Sequence, residues 1–254
     1  MQTFYFTDPG KVRSHNEDSV TIINNDKKEF VLAIADGMGG HKAGEVASKI
    51  AIDHIINSFY KHKTIGSKEN AIDWLRTTVT EINNQIFEYA KNNPESKGLG
   101  TTLVVAIKTE DYILYGNIGD SSGYVIKNGL LHKVTKDHTY VGMLLSNGKI
   151  TEEEAKNHPG KNLLTRALGA NDPIDIDIFD IDTSVKGLFL CSDGLTNMLT
   201  NEQIEKILNS NLPIEDAVIK LIKKANSRGG KDNITIAYLK KKAVKFNVIK
   251  GAKN

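Results

Sequence analysis

The chain has 254 residues, of which 39% are hydrophobic and 25% are charged, and its formal net charge is only +2. This length and composition are typical of a globular protein with one large or two small domains. So small a net charge gives no strong attraction to nucleic acid or to anionic lipid, so we expect neither as a partner. The excess of positive charge is local, because residues 240–254 hold six lysines and no acidic residue.

The chain contains one cysteine, Cys191, which excludes an intrachain disulfide and is typical of a protein from a reducing compartment. The N-terminus lacks the apolar core of a signal peptide, and no stretch has the length of a membrane-spanning helix. We therefore expect a cytoplasmic protein without a membrane-inserted segment.

The first part of the chain predicts three strands and then two helices. Apolar runs of strand length lie at 3–6, 19–23 and 30–35. Two apolar stripes of helical period follow, one from Ala43 to His54 and one from Ala71 to Tyr89.

The middle of the chain predicts a second block of strands, at 101–107, 112–118, 123–126 and 130–134. Asn128-Gly129 predicts a hairpin between the last two. Residues 138–165 interrupt this pattern with a capped, acidic helix start at Thr151 and a Pro159-Gly160 turn. We expect this segment to be a small insertion that lies over a sheet edge as a flap.

The last part of the chain again alternates strands with paired helices. Strands are predicted at 174–178, 188–192 and 234–239, helices at 201–208 and 214–225, and an edge strand at 244–249. Because hairpins join most strands and the helices come in pairs, the pattern predicts antiparallel sheets with helices outside them, an α+β layered fold.

Acidic residues stand at the ends of four predicted strands. They are Asp36, Asp120, Asp193 and Asp232, the last of which comes just before its strand. Carboxylates that meet at one sheet edge repel each other unless a cation or a proton lies between them. We therefore predict a metal site of oxygen ligands, which favours Mg²⁺ or Mn²⁺ over Zn²⁺.

A polar stretch before the second strand carries Arg13 and the acid pair Glu17-Asp18. Arginine offers a planar fork to phosphate oxygens. Two divalent ions lower the pKa of a bound water, so that hydroxide forms near neutral pH. These groups favour hydrolysis of a phosphate ester without a covalent protein nucleophile, and a solvated loop is the alternative interpretation of the charge cluster.

A serine hydrolase is the main alternative from another class, because residues 119–123 match the Gly-x-Ser-x-Gly pattern around Ser121. That pattern requires a strand that runs into a helix, whereas residues 124–129 predict another strand and a hairpin. Cys191 lacks the neighbouring histidine and arginine of a cysteine-dependent phosphatase, so we expect it to be a small buried residue.

Seven blocks in order along nearly the whole chain resemble the metal-dependent Ser/Thr protein phosphatases of type 2C, the PPM family, and specifically its compact bacterial branch. The blocks are 13–18 (RSHNED), 35–41 (ADGMGGH), 98–102 (GLGTT), 117–121 (NIGDS), 165–169 (TRALG), 191–195 (CSDGL) and 230–233 (GKDN). The resemblance implies a single domain of residues 1–242, a four-layer α-β-β-α sandwich of two antiparallel sheets flanked by helix pairs. It also implies the flap at about 138–165 and leaves 243–254 as a basic C-terminal segment.

The resemblance implies a centre of two core Mn²⁺ or Mg²⁺ ions. By position, Asp36 would bridge the two ions, and the Gly37 carbonyl would bind the first. Asp193 and Asp232 would bind the second ion.

Four further positions take roles from the resemblance. Glu17 and Asp18 would hold metal-bound waters, and Arg13 would bind the substrate phosphate. Asp120 would bind a third, weaker ion and share it with Asp193.

Two positions depart from the family pattern. Met38 stands where animal members carry a histidine discussed as the general acid, so another group must protonate the leaving group. Ser122 stands where members often have arginine, and any contact of that arginine is lost.

The expected substrates are phosphoserine and phosphothreonine proteins, and the expected partner is the bacterial Ser/Thr kinase that the enzyme opposes. We expect a monomer. An inactive family member that acts as a binding module is a further alternative, which the presence of Arg13 and the core aspartates disfavours.

Overall fold

A computed structural model of the protein describes residues 1–40, 42–96 and 98–242. The basic segment 243–254, with the edge strand predicted at 244–249, lies outside the described residues, as does His41 of the block 35–41.

Two antiparallel sheets form the centre of the fold. In spatial order the first sheet contains β1 (Gln2–Asp8), β11 (Ile234–Lys240), β10 (Gly187–Cys191), β7 (Ser122–Lys127) and β8 (Leu130–Lys133). The second contains β2 (Asp18–Asn24), β3 (Phe30–Met38), β5 (Leu103–Lys108), β6 (Ile113–Ile118) and β9 (Asp177–Ile181), and the short β4 (Gly100–Thr101) pairs with β3.

Helix pairs cover the outer faces of both sheets. Helices α1 (Ala43–Tyr60) and α2 (Lys68–Asn92) pack on the second sheet, and α6 (Asn201–Leu208) and α7 (Ile214–Ser227) pack on the first. Three short helices complete the fold, α3 (Tyr140–Ser146) and α4 (Glu152–Asn157) in the predicted flap and α5 (Asp193–Thr196) after β10. The four-layer α-β-β-α sandwich is therefore confirmed.

Three apolar clusters separate the four layers. One lies between α1, α2 and the second sheet, one between the two sheets, and one between the first sheet and α6 and α7. Successive residues of β3 alternate between the first two clusters, with Val31 and Ala33 on the helix side and Leu32 and Ile34 on the other. Burial on both faces explains why the central strands are continuous apolar runs.

The predicted 174–178 strand is wrong in position. β9 begins at Asp177, where it pairs with Asn117 near the end of β6. Only Ile118 of β6 remains beyond this pair, so the residues before Asp177 extend past the end of β6. Ile176 still packs into the core beside the helices. The alternating isoleucines of 174–178 therefore indicate burial against the core and not pairing as a strand.

The hairpin prediction at Asn128-Gly129 is confirmed by the backbone. Both residues have positive φ angles, 54° and 80°, as a type I′ turn requires. The turn joins β7 to β8 in antiparallel register.

No helix within residues 1–40, 42–96 and 98–242 combines the length and the apolar composition needed to cross a membrane.

Candidate functional site

The topology brings the strand-end acids to one edge of the sandwich. β3 and β6 both run toward this edge and β2 begins there, so Asp18 is paired directly with Asp36. In the other sheet β10 ends and β11 begins at the same edge, followed by Asp193 and preceded by Asp232. Asp120 follows β6 and completes the group.

An open cleft of about 600 Å³ lies over this edge. Six of the predicted site side chains line it, together with the Gly37 main chain and residues 162–167 at the end of the flap. The six are Arg13, Glu17, Asp36, Asp120, Asp193 and Asp232, and Asp232 forms an ion pair with Arg13. Asp18 lies behind the cleft and is buried. Both sheets and the flap therefore contribute to one surface.

The carboxylates raise one another's pKa values. Burial, and then the neighbouring Asp18 and Asp193, raises the pKa of Asp36 well above its ordinary value. Burial and the charge of Asp193 raise the pKa of Asp120 to about 7. Burial and the charge of Asp232 raise the pKa of Asp193 to about 6. Such mutual repulsion favours the binding of a divalent cation at this edge.

One carboxylate oxygen of Asp18 lacks a hydrogen-bond donor in the described part of the chain. Its Oδ2 atom accepts hydrogen bonds from Ser192 Oγ at 2.7 Å and Thr235 Oγ1 at 2.5 Å. Its Oδ1 atom is buried and has no hydrogen-bond partner in the described part of the chain. A buried carboxylate oxygen without a donor is costly, and a water held by a cation would supply one. The structure therefore fits the predicted role of Asp18.

The predicted ligand set is not arranged for direct coordination by side chains alone. Within the described ranges, no three acidic, histidine or cysteine side chains form a group that could hold a metal ion. One oxygen of Asp232 is instead engaged by Arg13, with 2.8 Å between Nη2 and Oδ2. Without a cation the neighbouring carboxylates repel each other, and Asp232 pairs with the positive charge of Arg13. Cation binding through Asp232 thus requires this pair to open.

The main chain of Asp36 is fixed by Thr101 and Thr102 of the block 98–102, to which the resemblance gives no role. The Asp36 N–H donates to Thr102 Oγ1 at 3.0 Å, and its carbonyl accepts from Thr101 Oγ1 at 2.9 Å. Thr102 Oγ1 also lies 2.9 Å from Ser121 Oγ. This network holds the main chain of Asp36 through both its N–H and its carbonyl.

The glycine after Asp36 allows a close approach of backbone to backbone. A Cβ atom on Gly37 would overlap the carbonyl oxygen of Gly44 in the first turn of α1, and would lie 2.6 Å from the Glu17 carbonyl oxygen. The Gly37 N–H also donates to that Glu17 oxygen at 3.0 Å. Only glycine fits here, because any side chain would overlap these carbonyl groups.

Asn233 holds the loop that carries Arg13 and Glu17. Its Oδ1 atom accepts from the Glu17 N–H at 2.8 Å, and its Nδ2 donates to the carbonyls of Pro9 at 3.0 Å and His15 at 2.9 Å. Neither the sequence pattern nor the family resemblance predicts this role of Asn233. Its position between Asp232 and an apolar strand was the available signal.

The serine hydrolase alternative is wrong on geometry. Ser121 is fully buried and hydrogen bonded to Thr102, and the segment runs from β6 into β7, not into a helix. A nucleophile elbow needs an exposed serine at a strand-to-helix turn. Cys191 is a fully buried free cysteine, and burial raises the pKa of its thiol far above the range of a reactive thiolate.

Comparison with known proteins agrees with this geometry. The model of the protein phosphatase 2C family matches residues 11–235. The serine/threonine phosphatase Stp of Listeria monocytogenes is 40% identical over 242 residues, which covers 95% of this chain and 96% of that protein. Protein phosphatase PhpP of Streptococcus pneumoniae is 36% identical over 240 residues, with 94% and 97% covered.

Solved structures give the same result. The serine/threonine phosphatase Stp1 of Staphylococcus aureus superposes with a TM-score of 0.89 at 37% identity, covering 95% of each chain. The serine/threonine phosphatase of S. agalactiae superposes with the same TM-score at 34% identity, covering 93% of this chain and 98% of that one. The matches extend over both sheets, both helix pairs and the cleft, and the chain therefore belongs to the protein phosphatase 2C family of metal-dependent serine/threonine phosphatases, in its bacterial branch.

Proposed function

We propose that the chain hydrolyses phosphoserine and phosphothreonine in proteins at this cleft, with Asp36, Asp193, Asp232 and Arg13 as its central residues. One observation carries the proposal. Half-buried carboxylates from both sheets raise one another's pKa values beside the half-exposed guanidinium of Arg13. A cation-binding edge next to a phosphate-binding arginine is the arrangement that metal-dependent phosphate ester hydrolysis requires.

The donor set fits two Mn²⁺ or Mg²⁺ ions, because all of its members are hard oxygen atoms. Asp36 and the Gly37 carbonyl would hold the first ion, and Asp36, Asp193 and Asp232 the second. Bound ions of this kind supply a hydroxide near neutral pH and neutralise charge on the phosphate.

The remaining acids complete the proposed set around the two ions. Glu17 and the unpartnered Oδ1 of Asp18 would fix water molecules beside them. Asp120 and Asp193 would hold a third, weaker ion.

Arg13 orients the substrate. Its side chain lies in the cleft, half exposed, and its only described ion-pair partner is Asp232. If Asp232 held a cation, the guanidinium would be free for its planar fork to bind two phosphate oxygens. Cation binding and phosphate binding would then be coupled through one ion pair.

No histidine stands at position 38 to protonate the leaving group. Met38 lines the cleft, and its thioether cannot donate a proton. Another group of the cleft must therefore protonate the leaving group.

The substrates follow from the relatives, which are named serine/threonine phosphatases. The opposing enzyme would be a bacterial Ser/Thr kinase, and the single cysteine supports a cytoplasmic location. Every residue of the site comes from residues 1–242 of one chain, so a single-domain monomer suffices.

The test is hydrolysis of a phosphothreonine peptide and of p-nitrophenyl phosphate after EDTA treatment, with Mn²⁺, Mg²⁺, Zn²⁺ or Ca²⁺ added back. Activity should disappear with EDTA and return with Mn²⁺ or Mg²⁺. Asp36→Asn and Asp193→Asn should lower kcat at least about 100-fold, because each removes a proposed metal ligand. Arg13→Ala should mainly raise KM.

Asp53→Asn is the matched control, because Asp53 is an exposed aspartate on α1. Its activity should equal that of the wild type. Folded wild-type protein that hydrolyses neither substrate with any of the ions would sink the proposal, and full activity of Asp36→Asn would sink the metal assignment.

A further inference from the structure

His138 lies where the flap leaves the sheets, and every polar atom of this residue is used. It is 9% exposed. Its ring Nδ1 accepts a hydrogen bond from the Gly119 N–H at 3.1 Å, and its Nε2 lies 3.1 Å from Asp177 Oδ2. Because Nδ1 accepts, the proton of the neutral ring is on Nε2, which donates to Asp177.

The main chain of His138 makes two more bonds. Its N–H donates to the Gly119 carbonyl at 2.9 Å, and its carbonyl accepts from the Thr165 N–H at 2.8 Å, where the flap returns. Gly119 is therefore held by His138 through both its N–H and its C=O. Asn117 Nδ2 donates to the same Gly119 carbonyl at 3.1 Å.

This double contact matters because Asp120 is the next residue. Gly119 has a φ of 97°, a conformation that places Asp120 at the cleft and that other residues rarely adopt. In the described part of the chain no side chain donates a hydrogen bond to the Asp120 carboxylate. The position of that carboxylate therefore depends on the backbone of Asp120, which is held at Gly119.

The ring of His138 is itself fixed from the far side. Asp177 on β9 accepts from His138 with one carboxylate oxygen and from Arg166 Nη1 with the other, at 2.6 Å. Arg166 lines the cleft just after the flap. A buried histidine held between a carboxylate and a backbone amide cannot rotate without breaking one of these bonds, so its orientation is determined.

We propose that His138 is a positioning residue that holds the Gly119–Asp120 peptide and thereby directs the Asp120 carboxylate into the cleft for cation binding. This inference rests on one part of the proposed function, the binding of a cation by Asp120. Ordinary packing of a buried histidine would need neither the Nδ1 acceptor nor a defined tautomer.

Two substitutions separate the two ring nitrogens. His138→Asn keeps a polar group at the position of Nδ1, where it can accept from the Gly119 N–H. His138→Gln places its amide at the position of Nε2, where it can reach Asp177 but not Gly119. Both variants are small, polar and similar in the volume they leave unfilled, which makes each the control for the other.

The readouts are Mn²⁺ titration of the EDTA-treated protein by calorimetry and hydrogen exchange of the segment 117–122. His138→Asn should bind the weakest Mn²⁺ ion within about threefold of wild type. His138→Gln should bind it about 10-fold to 100-fold more weakly, as expected when the group that orients a ligand is lost, and should exchange the Gly119 amide faster. Asp120→Asn should lose the weakest ion altogether.

Equal Mn²⁺ affinity and equal Gly119 protection in the Asn and Gln variants would overturn the proposal. So would a wild type whose Mn²⁺ titration is indistinguishable from that of Asp120→Asn. The second outcome leaves the proposed function intact if Mn²⁺ still restores phosphatase activity, so the two failures can be told apart. Circular dichroism checks that each variant is folded. Asp177→Asn weakens the contact of the His138 ring with Asp177. This variant should therefore also lower the affinity for the weakest Mn²⁺ ion.

Discussion

Burial of individual aspartates gives the cleft its affinity for positive charge. Asp120 is half-buried among neighbours that include Asp193, and its pKa of about 7 means that protons and cations compete for it near neutral pH. Asp36 is more deeply enclosed, and the charges of Asp18 and Asp193 act on it from both sheets. The same repulsion that predicts a metal site also predicts a cost to the folded state in the absence of any cation.

The pKa of Asp120 gives that cost a pH dependence. Its ordinary value is 3.8 and its value in the folded protein is about 7. The folded protein therefore binds more protons than the unfolded chain between these values, and its free energy of unfolding falls as the pH rises through them. The stability that Asp120 contributes by staying protonated is fully present below pH about 4 and is lost above pH about 7.

We expect Asp120→Asn to flatten this dependence in EDTA-treated protein. From pH 5.5 to 7.5 the wild type should lose about 2 kcal/mol of unfolding free energy relative to the variant, since one proton contributes about 1.4 kcal/mol per pH unit. Urea unfolding at the two pH values measures the difference. Asp53→Asn, the exposed control, should follow the wild type, and parallel pH curves for wild type and Asp120→Asn would contradict the pKa assignment.

At the scale of elements, the start of β11 fixes the loop that carries Arg13, the proposed phosphate-binding residue. Asn233 is 4% exposed and bonds to both ends of the segment that contains Arg13. The loop reaches β11 a second time through the Arg13–Asp232 ion pair. One strand start therefore holds a proposed metal ligand, a loop anchor and the partner of the arginine.

Asn233→Ala should destabilise the protein and loosen the Arg13 loop. Three hydrogen bonds are lost and buried main-chain groups are left without partners, which costs about 2–3 kcal/mol. KM for p-nitrophenyl phosphate should rise several-fold, because Arg13 is no longer held over the cleft. Urea unfolding and steady-state kinetics measure the two effects.

Asn209→Ala is the matched control for this prediction. Asn209 is an asparagine whose amide donates to the Gly129 carbonyl at 2.5 Å in the β7–β8 hairpin, away from the cleft. Its loss should affect stability slightly and leave KM unchanged. A KM for Asn233→Ala equal to that of Asn209→Ala would show that the loop does not need the anchor.

Local patterns in the sequence predicted the elements that have strong periodicity or specific turn chemistry. The two-sided burial of β3, the long helices α1 and α2 and the Asn128-Gly129 turn are of this kind. Helices α3 and α5 were missed because each has two turns or fewer, too short for a period to show. β9 was displaced because its start depends on where β6 ends, which no local pattern contains.

The site residues likewise fall into those that local patterns predict and those that they do not. Asp36, Asp120 and Asp193 could be found because each stands beside an apolar run and a glycine. Asn233, Thr102 and His138 could not, because their roles consist of hydrogen bonds to segments far away in the chain, 216 residues away for the bond between Asn233 and Glu17. Polar residues of this kind look like any loop residue until the fold has brought their partners beside them.

At the scale of the whole molecule, the site lies on the seam between the two sheets. Asp36 lies near the end of β3 and Asp120 follows β6, both in the second sheet. Asp193 follows β10 and Asp232 precedes β11, both in the first sheet. Away from this edge, the two sheets are joined mainly by apolar packing around Leu32, Tyr115 and Leu190. Cations bound to both sets of carboxylates would therefore join the two halves of the sandwich and remove their mutual repulsion together.

Cation binding should consequently stabilise the entire fold. At Mn²⁺ concentrations about 100 times the dissociation constant, binding to the folded state alone adds about 2.7 kcal/mol, which raises Tm by about 5–10 °C for a protein of this size. In EDTA, Asp193→Asn should melt at or above the Tm of the wild type, because one repelling charge is gone. In Mn²⁺ the order should reverse, because the variant has lost the ligand that the first sheet supplies. Differential scanning calorimetry in the two conditions tests this reversal, with Asp53→Asn expected to follow the wild type in both. An Mn²⁺-induced rise in Tm that is as large in Asp193→Asn as in the wild type would mean that the stabilising ion does not bridge the two sheets.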